Sequence, residues 1–319
     1  MTGKTARIRK RAVTASSIII SLFFILLLLL KPTVAAESVG VGLRLCGRTV
    51  IPALFPFMVL SEILISCGFG ELFGRLLGRP LAALFGISRE SAAAVFLGFL
   101  CGFPVGTRMV LSLYDQGRIE RSECERLLGF CNLPSIAFLV SAVGVSLYQN
   151  RLFGILLWLS SMSSAIVVGF ATRKKGVLHT KTPVHSALPT PGISIFTSAV
   201  ADGCTAMLSV CAYVLFFNAV IGCLSRFLGQ FHLPSCCRAL LFGFFELASG
   251  ADASAAIPNK LASSVLCGLG VGWSGLSVHC QLITICDGRG LSYRFYFLAR
   301  LCEGLLCAAS VLLFYPLCF

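Results

Sequence analysis

Two long apolar stretches of this chain are interrupted in the middle by helix-breaking residues. The first, at 91–117, carries Gly102, Pro104 and Gly106 at its centre, and the second, at 239–257, is predicted to break at Ser249 and Gly250. A helix broken at membrane depth leaves N–H and C=O groups that lipid cannot satisfy. Such a break therefore persists only where protein covers it or where it lines a cavity. Interrupted apolar segments in both halves of a chain predict a solute site between the halves.

The composition is that of a membrane protein. Of the 319 residues, 57% are hydrophobic and 12% are charged. The longest polar connector, about residues 173–191, is too short for a soluble domain. The net charge of +13 predicts basic loops that orient the chain and contact the lipid bilayer. No basic face interleaved with aromatic residues is present, so we expect no nucleic-acid partner.

The motif content argues against enzymes, metals and cofactors. HExxH, GxSxG and P-loop motifs are absent, which excludes a self-contained ATP-driven pump and leaves an intramembrane enzyme as a minor alternative. The 16 Cys include no CxxC pair and no zinc-type Cys/His spacing, and most lie in apolar segments, where Cys packs as a small hydrophobe. Cys236 and Cys237, in a predicted external loop, are the one pair suited to a redox test.

Apolar runs predict the membrane segments. A basic N-terminus precedes an apolar run at 18–30, which is either a signal peptide or a first transmembrane helix. Amphipathic stretches near 71–86 and 193–204 predict two interfacial helices. The remaining segments are predicted at 50–68, 90–114 (broken), 123–147, 151–171, 205–228, 239–257 (broken), 261–285 and 294–317.

Basic residues predict that the broken stretches enter and leave the membrane on one side. With both stretches re-entrant, roughly 18 of the 26 Lys and Arg fall on the cytoplasmic side, together with the N-terminus. If 91–117 crossed fully, two strongly basic groups of residues would face opposite sides. The positive-inside rule therefore favours re-entrant hairpins.

The order of segments repeats along the chain, with a span, a broken hairpin and two further spans in each copy. Three full crossings per copy make the second copy inverted, an arrangement that permits alternating access around a site between the copies. We therefore predict an all-α polytopic membrane protein with two inverted repeats, each with a re-entrant helical hairpin. The predicted boundaries are 1–36 for the N-terminal helix or signal anchor, 37–172 and 193–319 for the repeats, and 173–192 for a basic cytoplasmic connector.

Three motifs carry a resemblance to a known family. GFPVGTR at 102–108, GFCNLPS at 129–135 and WSGLSVHCQ at 273–281 resemble the YlbJ-type sporulation integral membrane proteins of the nucleoside-recognition, or Gate-domain, family. The resemblance implies a transporter in the outer forespore membrane that moves dipicolinic acid, a small organic anion. It also implies a fold like the core of concentrative nucleoside transporters. A nucleoside-like solute, or a non-transporting sporulation scaffold, is the alternative. Whether the chain forms a homo-oligomer or needs a sporulation membrane partner stays open.

The candidate substrate site combines the two hairpin tips with weak points in the spans that follow them. Each of those spans contains Pro, Gly or polar residues at its centre, which free backbone groups for a ligand. The candidate residues are Gly102, Pro104, Gly106, Thr107, Arg108, Asn132, Pro134, Ser135, Glu246, Ser249, Gly250, Ser277, His279 and Gln281.

Arg108 is the candidate carboxylate ligand. Thr107 is expected to cap the second half-helix, whose N-terminus attracts anions, and the Arg108 guanidinium adds a planar fork suited to a carboxylate. The alternatives are pairing with Glu246 or Asp115, or snorkelling to the interface. Glu246 is expected either to pair with Arg108 or to bind a coupling proton or cation.

The other ionisable residues carry weaker expectations. Asp252 is predicted to cap the second half of its hairpin. His279 is either a proton relay or a simple hydrogen-bonding residue. Glu62 is a candidate lining residue, and Glu303 is expected to pair with Arg300 at i,i+3 spacing.

Overall fold

The computed structural model describes residues 15, 18–19, 21–26, 28–67, 69–173, 193–228 and 233–319, and these are helical with short connections. No strand occurs among them. The predicted basic connector at 173–192 lies, apart from its first residue, outside the described residues, as does most of the N-terminal segment before Pro32. The helices are α1 (Pro32–Leu45), α2 (Ile51–Ser66), α3 (Phe69–Phe85), α4 (Ser91–Leu100), α5 (Val105–Asp115), α6 (Arg121–Phe130), α7 (Phe138–Leu147, which is π-helical), α8 (Arg151–Ala171), α9 (Ile193–Leu228), α10 (Ser235–Phe245), α11 (Leu247–Ala255), α12 (Lys260–Trp273), α13 (Gly275–Ile285) and α14 (Arg294–Phe314).

Five helical segments of the described residues are long and apolar enough to cross a membrane. They are Pro32–Ser66, Arg151–Ala171, Ile193–Arg226, Lys260–Ile285 and Arg294–Leu317. Large apolar side chains on the outside of the bundle, such as Leu298, Leu305 and Leu313 of α14, are exposed. An apolar exterior of this kind is suited to lipid rather than water.

Two predicted boundaries are wrong because helices continue through them. The segment at 193–204 is not a separate interfacial helix but the first part of α9, a single helix of 36 residues. Similarly, α1 joins α2 through a π-helical turn at Cys46–Val50, so the span begins well before residue 50. Neither junction contains a residue that stops a helix, and polarity alone misplaced the ends.

The two broken stretches form helical hairpins. Hairpin one consists of α4 and α5, and hairpin two consists of α10 and α11; the two helices of each pair pack against each other. These helices have 9 to 11 residues. At 1.5 Å per residue each is about 15 Å long, half of the roughly 30 Å hydrocarbon thickness. None of the four hairpin helices is therefore long enough to cross a membrane. This agrees with re-entrant segments, which enter and leave on the same side.

A broken span follows each hairpin. Broken span one comprises α6 and α7, which are separated by non-helical residues around Pro134. Broken span two comprises α12 and α13, which are separated at Ser274, where the backbone is left-handed with φ of 74°. The predicted order of elements therefore occurs twice: helix, hairpin, broken span, helix.

One end of the bundle is held by polar contacts between the two halves of the chain. The Asp115 carboxylate at the end of α5 accepts bonds of 2.8 and 2.7 Å from Arg289, which follows α13. Arg121 donates to the Gly290 carbonyl, and the Ser292 N–H donates to Glu125 at 2.8 Å. These bonds fix the loop after broken span two against hairpin one and α6.

Arg289→Gln is expected to destabilise the protein slightly near neutral pH. The hydrogen bonds from Arg289 lower the pKa of Asp115 below its ordinary 3.8. A carboxyl with a depressed folded-state pKa contributes stability above its unfolded pKa and loses that contribution as the pH falls through the folded pKa. The carboxylate is 46% exposed, so the loss at pH 7 should be under about 1 kcal/mol.

Thermal unfolding in detergent checks this effect. The difference in melting temperature between wild type and Arg289→Gln should narrow as the pH falls below 3.8. Arg294→Gln, at an exposed position, should have the melting temperature of wild type at every pH. A difference that widens in acid would contradict the assignment.

Candidate functional site

The two hairpin tips and the two breaks in the spans meet around one cavity, which we call the central cavity. Residues of α2 and α9 also line this cavity. The lining residues are Val50, Leu54, Phe103, Asn132, Pro134, Ser135, Phe138, Val210, Val214, Glu246, Leu247, Ala248, Ser274, Ser277, Val278 and Gln281.

Six of the predicted site residues line the central cavity, and eight do not. Both broken spans and the tip of hairpin two contribute to the six, which are Asn132, Pro134, Ser135, Glu246, Ser277 and Gln281. The other eight lie behind the lining or away from it: Gly102, Pro104, Gly106, Thr107, Arg108, Ser249, Gly250 and His279. The apolar walls from the π-helical turn, α2 and α9 were not predicted. Their residues, Val50, Leu54, Val210 and Val214, do not differ in sequence from other apolar helix residues.

Hairpin one is bonded directly to the break in broken span one. The Phe103 N–H donates to the Leu133 carbonyl at 2.8 Å, and Gly102 has φ of 73° and lies close against the backbone at Leu133 and Ser135. The Thr107 hydroxyl donates to the Asn132 side-chain oxygen. The two elements therefore form one polar unit on the cavity wall.

The predicted capping role of Thr107 is wrong. Pro104 occupies the N-cap of α5, and no side chain caps this end. Thr107 is the third residue of the helix, where its hydroxyl reaches sideways to Asn132 instead of back to the helix start. Gly106, one residue earlier, packs against the Cys131 carbonyl and Gly98, which explains why no side chain is present there.

Hairpin two breaks at Glu246, not at Ser249 and Gly250 as predicted. The Glu246 backbone is extended, and its carboxylate accepts the N–H of Ala248 at 3.0 Å and that of Ser249 at 2.6 Å. Glu246 thus caps α11 while also lining the cavity. Gly250 lies within α11, where it packs directly against the backbone of Gly243 in α10.

Asp252 does not cap α11, because the helix begins at Leu247, well before it. Its side chain is exposed in the interior of the helix. A glutamate inside an apolar run proved to be the true cap, since only its carboxylate reaches the free N–H groups of the first turn.

Arg108 does not line the central cavity and does not pair with Glu246 or Asp115. Its guanidinium forms an ion pair with Glu62 of α2 at 2.8 Å, and the two side chains are 32% and 17% exposed. Successive helical residues point about 100° apart, so an α5 that turns Thr107 towards Asn132 turns Arg108 towards α2. Glu62 serves this pair and is not a lining residue.

His279 points away from the cavity into an aromatic cluster. Its Nδ1 bonds the Tyr296 hydroxyl at 2.7 Å, and its ring packs edge-on against Trp273, Tyr296 and Phe297. Ser277 and Gln281, at i and i+4 of α13, share the face that lines the cavity. His279 lies between them in sequence and therefore on another face.

The lining residues contain one ionisable side chain, Glu246, and no basic one. The polar groups around it are hydroxyls of Ser135, Ser274 and Ser277 and the side-chain amides of Asn132 and Gln281. Such a wall can hold a polar solute by hydrogen bonds, and Phe103 and Phe138 add aromatic surface.

Among the described residues no group of three or more His, Cys, Asp or Glu is placed to hold a metal ion. Cys236 and Cys237 lie in the first turn of α10 instead of in a loop.

Comparison with a curated protein supports the sequence motifs. The chain is 27% identical to the sporulation integral membrane protein YlbJ of Bacillus subtilis (strain 168), over 88% of this chain and 78% of that protein. The predicted resemblance to YlbJ-type sporulation membrane proteins is confirmed. No family model matches the chain.

Comparison with solved structures supports the fold. A variant of CNTnw in the intermediate 2 state superposes with a TM-score of 0.56 at 16% identity, over 99% of this chain and 88% of that one. CNTnw in an inward-facing substrate-bound state gives 0.51 at 15% identity, over 99% and 87%. The chain is thus an all-α, multi-pass membrane protein with the fold of a concentrative nucleoside transporter, as predicted.

Proposed function

We propose that this chain is a membrane transporter whose solute binds in the central cavity. The supporting observation is that two hairpin tips and two span breaks, from both halves of the chain, converge on one cavity. A scaffold has no need for four helix breaks at membrane depth, each of which must be satisfied by other protein groups. Rocking of the repeats, 37–172 and 193–319, would expose the cavity to each side in turn.

The proposed solute is a small organic anion, and dipicolinic acid is the first candidate. The resemblance to sporulation proteins suggests it, together with a site in the outer forespore membrane. A pyridine ring suits the aromatic surface of Phe103 and Phe138, and its carboxylates can accept hydrogen bonds from Ser277 and Gln281. Glu246 is the one charged side chain in the lining, and its negative charge would repel the anion. A proton or cation bound at Glu246 would therefore have to accompany the anion.

A nucleoside-like solute is the second candidate. The observation that favours it is a lining of hydroxyl, amide and aromatic groups without a basic side chain. A neutral solute with ring nitrogens and hydroxyls would bind such groups without a compensating cation.

Uptake into proteoliposomes decides between the candidates. Labelled dipicolinate and labelled uridine would each be offered to wild type, Gln281→Ala and, as the matched control, Gln116→Ala, which lies in an exposed position outside the cavity. Loss of a hydrogen bond to a charged or polar solute should raise KM about tenfold in Gln281→Ala only. If the wild-type protein moves neither solute, the result would favour a non-transporting scaffold.

Arg108→Ala and Glu62→Gln are expected to lower the uptake rate to the same modest extent. The ion pair joins α2 to hairpin one, and a partly exposed pair contributes about 0.5–1 kcal/mol, which is about a two- to fivefold effect. The charge exchange Glu62→Arg with Arg108→Glu should restore the rate. If this double variant is as inactive as Arg108→Glu alone, then Arg108 contacts the solute in another state of the transport cycle.

A further inference from the structure

Arg300, in the second turn of α14, is fully buried. It forms the predicted i,i+3 ion pair with Glu303, which is also buried. A lone charge at membrane depth is costly, and the adjacent carboxylate makes the guanidinium tolerable there. The rest of the guanidinium is directed at another helix. One nitrogen, Nη2, donates to the Gly272 carbonyl at 2.6 Å and to the Ser274 hydroxyl at 2.8 Å.

These two acceptors lie at the break in broken span two. The last carbonyls of a helix have no partner within it, and at membrane depth water is not available to them. Ser274 is in the left-handed region, with φ of 74°, which is unfavourable for a residue with a side chain. Its hydroxyl donates to the Val271 carbonyl at 3.2 Å while accepting from Arg300. The break is therefore held by a side chain of a different helix.

Close packing of α12 on α14 makes this reach possible. Gly272 lies against the backbone of Glu303 and Gly304, so that a side chain at 272 would collide with it. The guanidinium then lies beside the end of α12 with no intervening layer. In broken span one the equivalent role falls to hairpin one, through Phe103 and Thr107, so that the two breaks are supported in different ways.

We propose that Arg300 is a positioning residue for the solute site. It fixes the left-handed turn at Ser274, and this turn sets the rotation of α13, which directs Ser277 and Gln281 into the central cavity. Arg300 does not line the cavity and acts only through the turn. The proposal rests on the proposed transport function for its kinetic consequence, but the support of the turn itself can be tested without a solute.

Arg300→Lys is the direct test. Lysine keeps the positive charge beside Glu303, but its single ammonium group cannot reproduce the planar fork that bonds Glu303, Gly272 and Ser274 together. Folded Arg300→Lys should show a KM about tenfold higher for whichever labelled probe, dipicolinate or uridine, wild type moves, with a maximal rate within about twofold of wild type. Hydrogen–deuterium exchange of the amides at 275–281 should accelerate.

Arg126→Lys is the matched control. Arg126 is also buried, and it donates to the Phe85 and Gly86 carbonyls at 2.8 and 2.6 Å, at a loop that does not line the cavity. It should lose thermal stability without any change in KM. If Arg126→Lys shifts KM as much as Arg300→Lys does, the effect is a general loss of folding and the proposal is overturned.

A second variant covers the case in which Arg300→Lys fails to fold. The double variant Arg300→Met with Glu303→Leu leaves no unpaired charge in the core, and such replacements commonly fold. It still removes the bonds to Gly272 and Ser274, so KM and exchange at 275–281 should both rise. Unchanged KM and exchange in the folded double variant would overturn the positioning role.

Failure of the transport function would be visible separately. If wild type moves neither dipicolinate nor uridine, the exchange measurement alone decides. Faster exchange confined to 275–281 would uphold Arg300 as the support of the turn, and exchange equal to wild type would reject it.

Discussion

Glu246→Ala is expected to abolish uptake and to destabilise hairpin two. Glu246 is 2% exposed, and its carboxylate accepts two N–H groups at the start of α11. Without it both donors are buried and unpaired, at about 1–3 kcal/mol each. Unfolding by SDS titration should show this loss, and labelled dipicolinate or uridine should no longer enter proteoliposomes.

Glu246→Gln separates capping from coupling. The amide oxygen can still accept one of the two N–H groups, so about half of the stability that Glu246→Ala loses should be kept. The neutral side chain can no longer bind a coupling proton or cation. Uptake driven by an ion gradient should fall at least about tenfold, while exchange of labelled for unlabelled solute across the membrane should continue.

Asp252→Asn is the control for both Glu246 variants, since it removes an exposed acid from the same helix and should behave as wild type. Gradient-driven uptake at the wild-type rate by Glu246→Gln would contradict a coupling role for Glu246. Full stability of Glu246→Ala would contradict the capping role.

Gly102→Ala is expected to detach the tip of hairpin one from broken span one. A Cβ at this position would lie 2.6 Å from the Leu133 carbonyl oxygen and 2.6 Å from the Ser135 nitrogen, and neither backbone group can move freely. The left-handed backbone adds about 1–2 kcal/mol for any residue with a Cβ, and overpacking adds about 1–3 kcal/mol. The bond from Phe103 to Leu133 should break, and uptake should be lost.

Gly117→Ala isolates the effect of the close approach. Gly117 also has positive φ, at 66°, but a Cβ there meets no atom within 4 Å. The free energy of unfolding of this variant should fall by about 1–2 kcal/mol, and its uptake rate should stay that of wild type. Equal losses of stability in the two variants would mean that backbone strain alone explains the Gly102 effect and that contact with the broken span is unimportant.

The helix breaks could be predicted from the sequence because they depend on local chemistry. Gly102, Pro104 and Pro134 all weaken a helix locally, because glycine lacks a Cβ and proline lacks an N–H donor. Pro56 and Pro80 nevertheless lie inside α2 and α3, so a break also needs partners for the freed backbone groups. The apolar composition and the repeated order of segments likewise predicted an all-α membrane protein, since lipid admits few other structures. Six of the proposed site residues also lie around the cavity, because they occur at or beside these breaks.

Partners and helix faces were decided by tertiary packing. Arg108 binds Glu62, which is 46 positions away, because the rotation of α5 is set by the contact of Thr107 with Asn132. The break of hairpin two falls at Glu246, because a carboxylate there can satisfy the free N–H groups of α11, while Gly250 is needed for helix packing. The chain by itself thus determined which apolar segments are interrupted, although the break of hairpin two was predicted at the wrong residues. The folded arrangement determined which side chains face the cavity, since that depends on helix rotation and on partners distant in sequence.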